Sequence, residues 1–323
     1  MAWQVRVAGG VYVKAKRAVS LATRLYGAHP RGAVFPSSQP GDILAAMDYK
    51  TIDVKPCSPV IGAEIRGVDL TRPLSDAQWT EVLDAFHQYS VIFFREQAAP
   101  MTPAQQVTFG KRFGPLHIHP AAPHLEGHPE VFVIHAHKDS KIANGEFWHS
   151  DVSCDQEPPL GSILQIHLLP PSGGDTLFAS MYAAYDDLSP RMKQYLDGLC
   201  AVHESEHIYR GRYSDRGVSD AGKVYPTAVH PIVRTHVDTG KKSLFVNRTF
   251  TTRIEGLPEE ESKAILQFLF NHAESPWYQT RFTWRKNDVA MWDNRCTQHM
   301  AIWDYWPNER KGNRVTVKGE RPA

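Results

Sequence analysis

A mainly β fold with flanking helices is the expectation for this 323-residue chain, and three observations carry it. Apolar runs of strand length recur, as in Val131-Phe132-Val133-Ile134-His135 and Asp288-Val289-Ala290-Met291-Trp292. Proline and glycine, 23 and 22 of them, cut the sequence into short segments. Helical periodicity is confined to a few windows. Such elements suit a jelly-roll core.

Taken in order, residues 1–46 stand apart, with six Lys or Arg against one acid, Asp42. Val11, Ala15, Ala18, Ala22 and Leu25 share one helical face and Lys14, Arg17 and Arg24 the other, as in an amphipathic basic targeting segment. The other reading is a leader or disordered basic extension, joined through a Pro/Ser-rich linker over 32–41 to one catalytic domain over 47–323. Residues 75–89 read as an amphipathic helix with Ser75 as N-cap and Val82, Leu83 and Phe86 inward. The windows 103–113 and 188–199 read likewise. Pro258-Glu259-Glu260-Glu261 opens a further helix, because proline and acids suit a first turn. Its stripe of Ile265, Leu266, Leu269 and Phe270 is expected to pack on a sheet.

Composition excludes several functions. With 42% hydrophobic and 22% charged residues the chain can bury a substantial core. A net charge of +1 and the lack of basic blocks interleaved with aromatics argue against nucleic acid. No apolar run is long enough to span a bilayer, so no membrane partner is expected. Cys57, Cys154, Cys200 and Cys296 have no C-x-x-C spacing, which reads as reduced thiols in a cytoplasmic protein. Cys154 and Cys296, close in sequence to ligand candidates, read as small buried hydrophobes.

The chemistry sits in Phe147-Trp148-His149-Ser150-Asp151, answered far downstream by Thr297-Gln298-His299. Alternate residues of a strand share a face, so His149 and Asp151 are expected to converge from one strand end while Ser150 faces away. His299 must arrive from a distant strand. Two imidazoles and one carboxylate on one side of an octahedral ion leave positions open, the ligand set of a non-haem Fe(II) oxygenase.

Several separated segments, in order, resemble the taurine dioxygenase family of Fe(II)/2-oxoglutarate oxygenases, which includes 2,4-dichlorophenoxyacetate dioxygenase and alkylsulfatases. The likeness runs from about residue 49 to the C-terminus. Its parts are Ile61-Gly62-Ala63-Glu64-Ile65-Arg66-Gly67-Val68-Asp69-Leu70, Val91-Ile92-Phe93-Phe94-Arg95, Trp148-His149-Ser150-Asp151-Val152-Ser153, Gly173-Gly174-Asp175-Thr176-Leu177-Phe178 and Trp292-Asp293-Asn294-Arg295-Cys296-Thr297-Gln298-His299. Arg310 and Arg314 follow His299 by eleven and fifteen residues, the family's spacing. The resemblance specifies a double-stranded β-helix and a homo-oligomer. It implies Fe(II) on His149, Asp151 and His299, with 2-oxoglutarate and O2 as cosubstrates. Arg310 and Thr176 would hold the far carboxylate of 2-oxoglutarate, a task that suits a planar, permanently charged fork.

For the substrate, the resemblance implies a small organic anion held by Arg314, with His119, Asn144 and Phe250 around it. Ala122 stands where a tyrosine is expected, and Asn144 shares the amine-side position with Gly145. These departures open the pocket to sulfonates, sulfate esters and carboxylates bulkier than taurine, aryloxyalkanoates included. Asp151 fills the position left to halide in related halogenases, so hydroxylation is expected. A zinc hydrolase could use the same three ligand types but has no use for Arg310 and Thr176, and a silent jelly-roll binding module would need no complete triad.

Overall fold

The short apolar runs pair into sheets in the computed structural model, which describes residues 48–119, 124–212, 214, 217 and 219–323. In chain order the strands are β1 (Asp53–Pro56), β2 (Ala63–Arg66), β3 (Val91–Phe94), β4 (Leu116–His117), β5 (His124–Leu125), β6 (His128–Ala136), β7 (Gly161–Leu168) and β8 (Thr176–Ser180). There follow β9 (Cys200–Glu204), β10 (Thr227–Pro231), β11 (Val233–Thr235), β12 (Lys242–Leu244), β13 (Thr251–Ile254), β14 (Gln279–Phe282), β15 (Val289–Asp293), β16 (Thr297–Ala301) and β17 (Arg310–Val317). Nine form one sheet in the order β1-β2-β3-β15-β7-β17-β6-β5, with β4 on β17. Three smaller sheets are β14-β8-β16, β10-β9-β13 and β11-β12.

Period-two alternation decides which layer each residue enters. From the large sheet, Phe93, Leu164, Ile166, Ala290 and Trp292 are buried with Phe178 and Phe282 of the β14-β8-β16 sheet. Phe93 stacks on Phe282 with ring centroids 3.9 Å apart, locking the two sheets face to face. Their chain neighbours Ile92, Phe94, Ile163, Val289 and Met291 enter the opposite layer, under α1 (Asp76–Tyr89) and α2 (Pro103–Lys111). At about 2 kcal/mol or more per buried large side chain, this alternation fixes the register, since a one-residue slip would invert both faces.

Ser75 caps α1 as expected, in a capping box with Gln78. Thr102 caps α2 with Pro103 in its first turn, and the helix stops at Lys111, two residues short of the expected end. The helix expected over 188–199 is present and shorter at both ends, over 190–196. Ser180 caps α3 (Met181–Asp186), and Ser189 caps a separate α4 (Pro190–Leu196). Proline forces this break because it disfavours helical geometry in the residue before it. Gly198, at φ 75°, lies just past the end of α4. After the single turn α5 (Glu206–Tyr209), Pro258 forms the N-cap of α6 (Glu259–Ala273), whose first turn holds three glutamates. Leu266, Leu269 and Phe270 are buried with Leu244 and Ile254 of the small sheets, as the stripe implied. The readings made for residues 1–46 and for Ala122 lie outside the described residues. Among the described residues no helix is long and apolar enough to cross a membrane.

A buried polar cluster ties β9 to the turn after Asp151. His203 Nδ1 lies 3.0 Å from Ser153 Oγ, which also accepts from Asn247 Nδ2 at 2.9 Å. Burial, and then the neighbouring His230, push the His203 imidazole down to about 3. In the unfolded chain a histidine takes up its proton near pH 6.5, so acid favours unfolding. The stability held by neutral His203 is therefore complete above that pH and is lost as pH falls toward 3. Urea unfolding below pH 6 should lose stability more steeply than it does in His203→Gln, by about 1 kcal/mol per pH unit. Equal pH slopes for the two proteins would mean that His203 is not held neutral.

Candidate active site

One backbone bridge joins the two halves of the site. The N–H groups of His149 and His299 each donate to the other's carbonyl oxygen, at 3.1 and 2.9 Å, which sets their ring centroids 4.1 Å apart. His299 lies on β16, as expected. The strand expected for His149 and Asp151 is corrected: His149 makes an isolated bridge and Asp151 opens a turn. The next residue, Val152, has φ 48°, a left-handed conformation that costs a β-branched residue about 1–2 kcal/mol. The turn rather than strand alternation aims the carboxylate. Ser150 does face away, donating to the Thr297 carbonyl oxygen at 2.7 Å.

One ligand atom from each of His149, Asp151 and His299 lies within 4.8 Å of the others, and all three residues are buried, so together they could hold a metal ion. His149 Nδ1 donates to the Phe147 carbonyl oxygen at 2.7 Å, which leaves the lone pair on Nε2, 3.7 Å from Asp151 Oδ1. Asp151 is fixed at both oxygens: Oδ2 accepts from Ser162 Oγ at 2.7 Å and Oδ1 from Arg314 Nη1 at 2.5 Å. Asn294 braces the same group, accepting the Asp151 N–H at 3.3 Å and donating to Ser162 Oγ at 3.3 Å. Burial opposes the carboxylate's charge, but Arg314, followed by the histidines, holds it well below the usual range. Burial, and then His149, hold His299 well below its ordinary value. An ionised carboxylate and a neutral imidazole are the forms that bind metal.

A second group, His236, Asp293 and Cys296, is equally close. Its acceptors are already taken. Arg295 donates to both Asp293 oxygens, from Nε at 2.9 Å and Nη2 at 2.7 Å, and His236 Nε2 lies 3.0 Å from Oδ2. Burial pushes the thiols of Cys296 and Cys154 up to about 12, so both remain protonated and apolar, as expected. The second group is an ion-pair network that braces the turn before His299.

Thr176 and Arg310 open β8 and β17 and are both buried. Arg310 Nε and Nη2 have no partner among the described residues. The Trp284 indole lies against both residues: Nε1 donates to Thr176 Oγ1 at 3.0 Å, and the ring centroid is 5.5 Å from the Arg310 guanidinium carbon. At Gly174, φ 74°, a Cβ would come within 3.1 Å of Arg310 Cδ, so glycine makes the room in which that arginine lies. Burial opposes the Arg310 charge, and Tyr305 and Asp175 only partly offset it. A buried guanidinium with open donors suits a planar acceptor such as the far carboxylate of 2-oxoglutarate.

His119, Asn144, Phe250 and Arg314 line one cavity with His149 and Asp151. Thr176 and Arg310 do not line it. Phe132, Ile208 and Tyr209 form an apolar wall, and Glu146, Phe147 and Arg212 also line the cavity. His119 packs between Phe132 and Tyr209, at 5.4 and 5.5 Å between centroids. Sequence reasoning missed Ser162, Asn294, Trp284 and Arg212. Asn294 stood inside a quoted motif, whereas Ser162 reaches Asp151 only through the register that pairs β7 with β15.

This geometry defines a buried two-histidine, one-carboxylate centre beside a cavity bearing a cation, on a mainly β frame. Residues 53–316 match the model of the Taurine catabolism dioxygenase TauD, TfdA family, and the chain belongs to that family. It is 35% identical over 293 residues to an alpha-ketoglutarate-dependent sulfonate dioxygenase of Saccharomyces cerevisiae, covering 87% of this chain and 70% of the relative. It is also 35% identical over 279 residues to an alpha-ketoglutarate-dependent sulfate ester dioxygenase of Pseudomonas putida, covering 84% and 91%. A taurine dioxygenase structure from Burkholderia xenovorans superposes with a TM-score of 0.73 at 36% identity, covering 85% of this chain and 93% of that one.

Proposed function

We propose that this chain is an Fe(II)- and 2-oxoglutarate-dependent dioxygenase, a double-stranded β-helix over 47–323 that hydroxylates a small organic anion of the sulfonate or alkyl sulfate kind. The carrying observation is the pairing of a three-residue group able to hold a metal with a separate buried arginine, Arg310, whose Nε and Nη2 lack partners among the described residues. A zinc hydrolase would have no use for that second cation. The sulfonate and sulfate ester dioxygenases among the relatives support the substrate class.

In this reading His149, Asp151 and His299 hold Fe(II), and Arg310 and Thr176 hold the far carboxylate of 2-oxoglutarate. Together with O2, the bound iron and cosubstrate supply an oxidation that releases succinate and CO2 and inserts oxygen into a substrate C–H bond. The chain's own residues do the rest. His149 Nδ1 and Ser162 orient two of the ligands, and Asp151 lowers the charge of the centre. The Phe132, Tyr209 and Phe250 wall excludes water, and Arg314 and His119 set the anionic group so that a neighbouring C–H faces the metal. Hydroxylation at a carbon bearing sulfonate or sulfate gives a product that collapses to an aldehyde and frees the anion.

Arg314 pairs with Asp151 through Nη1, but its buried Nε has no partner among the described residues and the cavity beside it is partly closed, so neutral analogues, which leave that donor unmet, should be poor substrates. With Ala122 in place of a tyrosine, anions bulkier than taurine should be preferred. Succinate release at fixed 2-oxoglutarate should rank a longer alkyl sulfonate and an alkyl sulfate above taurine and an aryloxyalkanoate. A neutral alcohol of equal length should fall about tenfold or more below them. Turnover of taurine alone would refute the argument from bulk, and equal turnover of the alcohol would remove Arg314 from substrate recognition.

A further inference from the structure

Trp284 sits in the connection between β14 and β15, and it is buried. Phe282 meets its ring edge to face at 4.9 Å, which fixes the indole plane. Indole Nε1 can only donate, so at 3.0 Å from Thr176 Oγ1 it must occupy a lone pair of that hydroxyl. The hydroxyl hydrogen is thereby directed elsewhere, and among the described residues no acceptor takes it. The same ring lies beside Arg310, which has its own open donors.

We infer that Trp284 is a positioning residue for 2-oxoglutarate: its indole N–H orients the Thr176 hydroxyl so that this hydroxyl donates its proton to the far carboxylate of the cosubstrate. This rests on the proposed roles of Thr176 and Arg310. Without the indole, the Thr176 hydroxyl is free to rotate, and its oxygen presents lone pairs as readily as its proton to an anion. The role belongs to the N–H rather than to the ring. It therefore separates from the packing that Trp284 also provides.

The test is a titration of 2-oxoglutarate into the anaerobic Fe(II) protein, read by calorimetry, with thermal melting of each variant as the folding control. Trp284→Phe keeps a ring beside Phe282 and Arg310 and removes the donor. It should weaken 2-oxoglutarate by about threefold to tenfold, the range of one net hydrogen bond. In a Thr176→Val background the same change should have no further effect, since the hydroxyl it acts on is gone. Binding of 2-oxobutyrate, which lacks the far carboxylate, should be equally weak in the wild type and in Trp284→Phe. Should Trp284→Phe not melt cooperatively, Trp284→Leu, which also carries no donor, serves for the same comparison. Unchanged 2-oxoglutarate affinity, or an equal loss in the Thr176→Val background, would overturn the inference. A wild-type protein that binds no 2-oxoglutarate would instead overturn the proposed function.

Discussion

Asp151→Ala is expected to abolish 2-oxoglutarate-coupled turnover by weakening the hold on the metal. The wild-type carboxylate accepts from Arg314 and Ser162 and lies within 4.8 Å of a ring nitrogen of each histidine. Removing it takes the one anionic ligand from a dication site and leaves Arg314 buried and unpaired, a loss of about 3–5 kcal/mol of stability for the broken buried pair. Thermal stability should fall with it, so the alanine variant alone would not separate folding from metal binding. Asp151→Asn separates them, because the amide keeps the shape and an acceptor for Ser162 but loses the charge. With its oxygen toward Ser162 its NH2 group meets Arg314, so it should melt below the wild type but above the alanine variant, and Fe(II) titrated into the folded variant should still not be retained. Wild-type turnover in either variant would remove Asp151 from the mechanism.

The second large effect is expected at Arg310. Arg310→Lys keeps a positive charge but replaces a planar fork with a point charge, in a space that Gly174 leaves for the guanidinium. The loss of a charge-assisted hydrogen bond, about 1.5–3 kcal/mol, should raise the KM for 2-oxoglutarate by about tenfold to a hundredfold. The KM for the organic anion should change little, because Arg310 does not line the cavity that contains Arg314. An unchanged 2-oxoglutarate requirement would make Arg310 a structural cation.

What the sequence disclosed follows from how far each feature reaches along the chain. The His149 and Asp151 pair was legible because two ligands lie two residues apart. The strand inferred for them was wrong, because a positive φ at Val152 is set by the tertiary turn and leaves no mark on a β-branched residue. The apolar runs around Phe93 and Met291 announced strands, yet only pairing shows β15 lying between β3 and β7. Ser162 and Trp284 were illegible for the same reason: each reaches its partner across 11 and 108 residues, respectively. Ser189-Pro190 carries a helix-start signal, and it places the start of α4 two residues inside the window whose periodicity reads as helical. The polar groups that complete the site thus depend on sheet register, which local pattern does not encode.

The most direct test measures O2 uptake and succinate release together, with an alkyl sulfate, whose ester bond either chemistry could break, as substrate and either Fe(II) or Zn(II) supplied to the metal-free protein. A dioxygenase built on His149, Asp151 and His299 should consume O2 and release succinate in equal amounts with Fe(II), show neither with Zn(II), and lose both in Asp151→Asn. Release of the anion with Zn(II), without O2 uptake or any need for 2-oxoglutarate, would contradict it and make the centre hydrolytic.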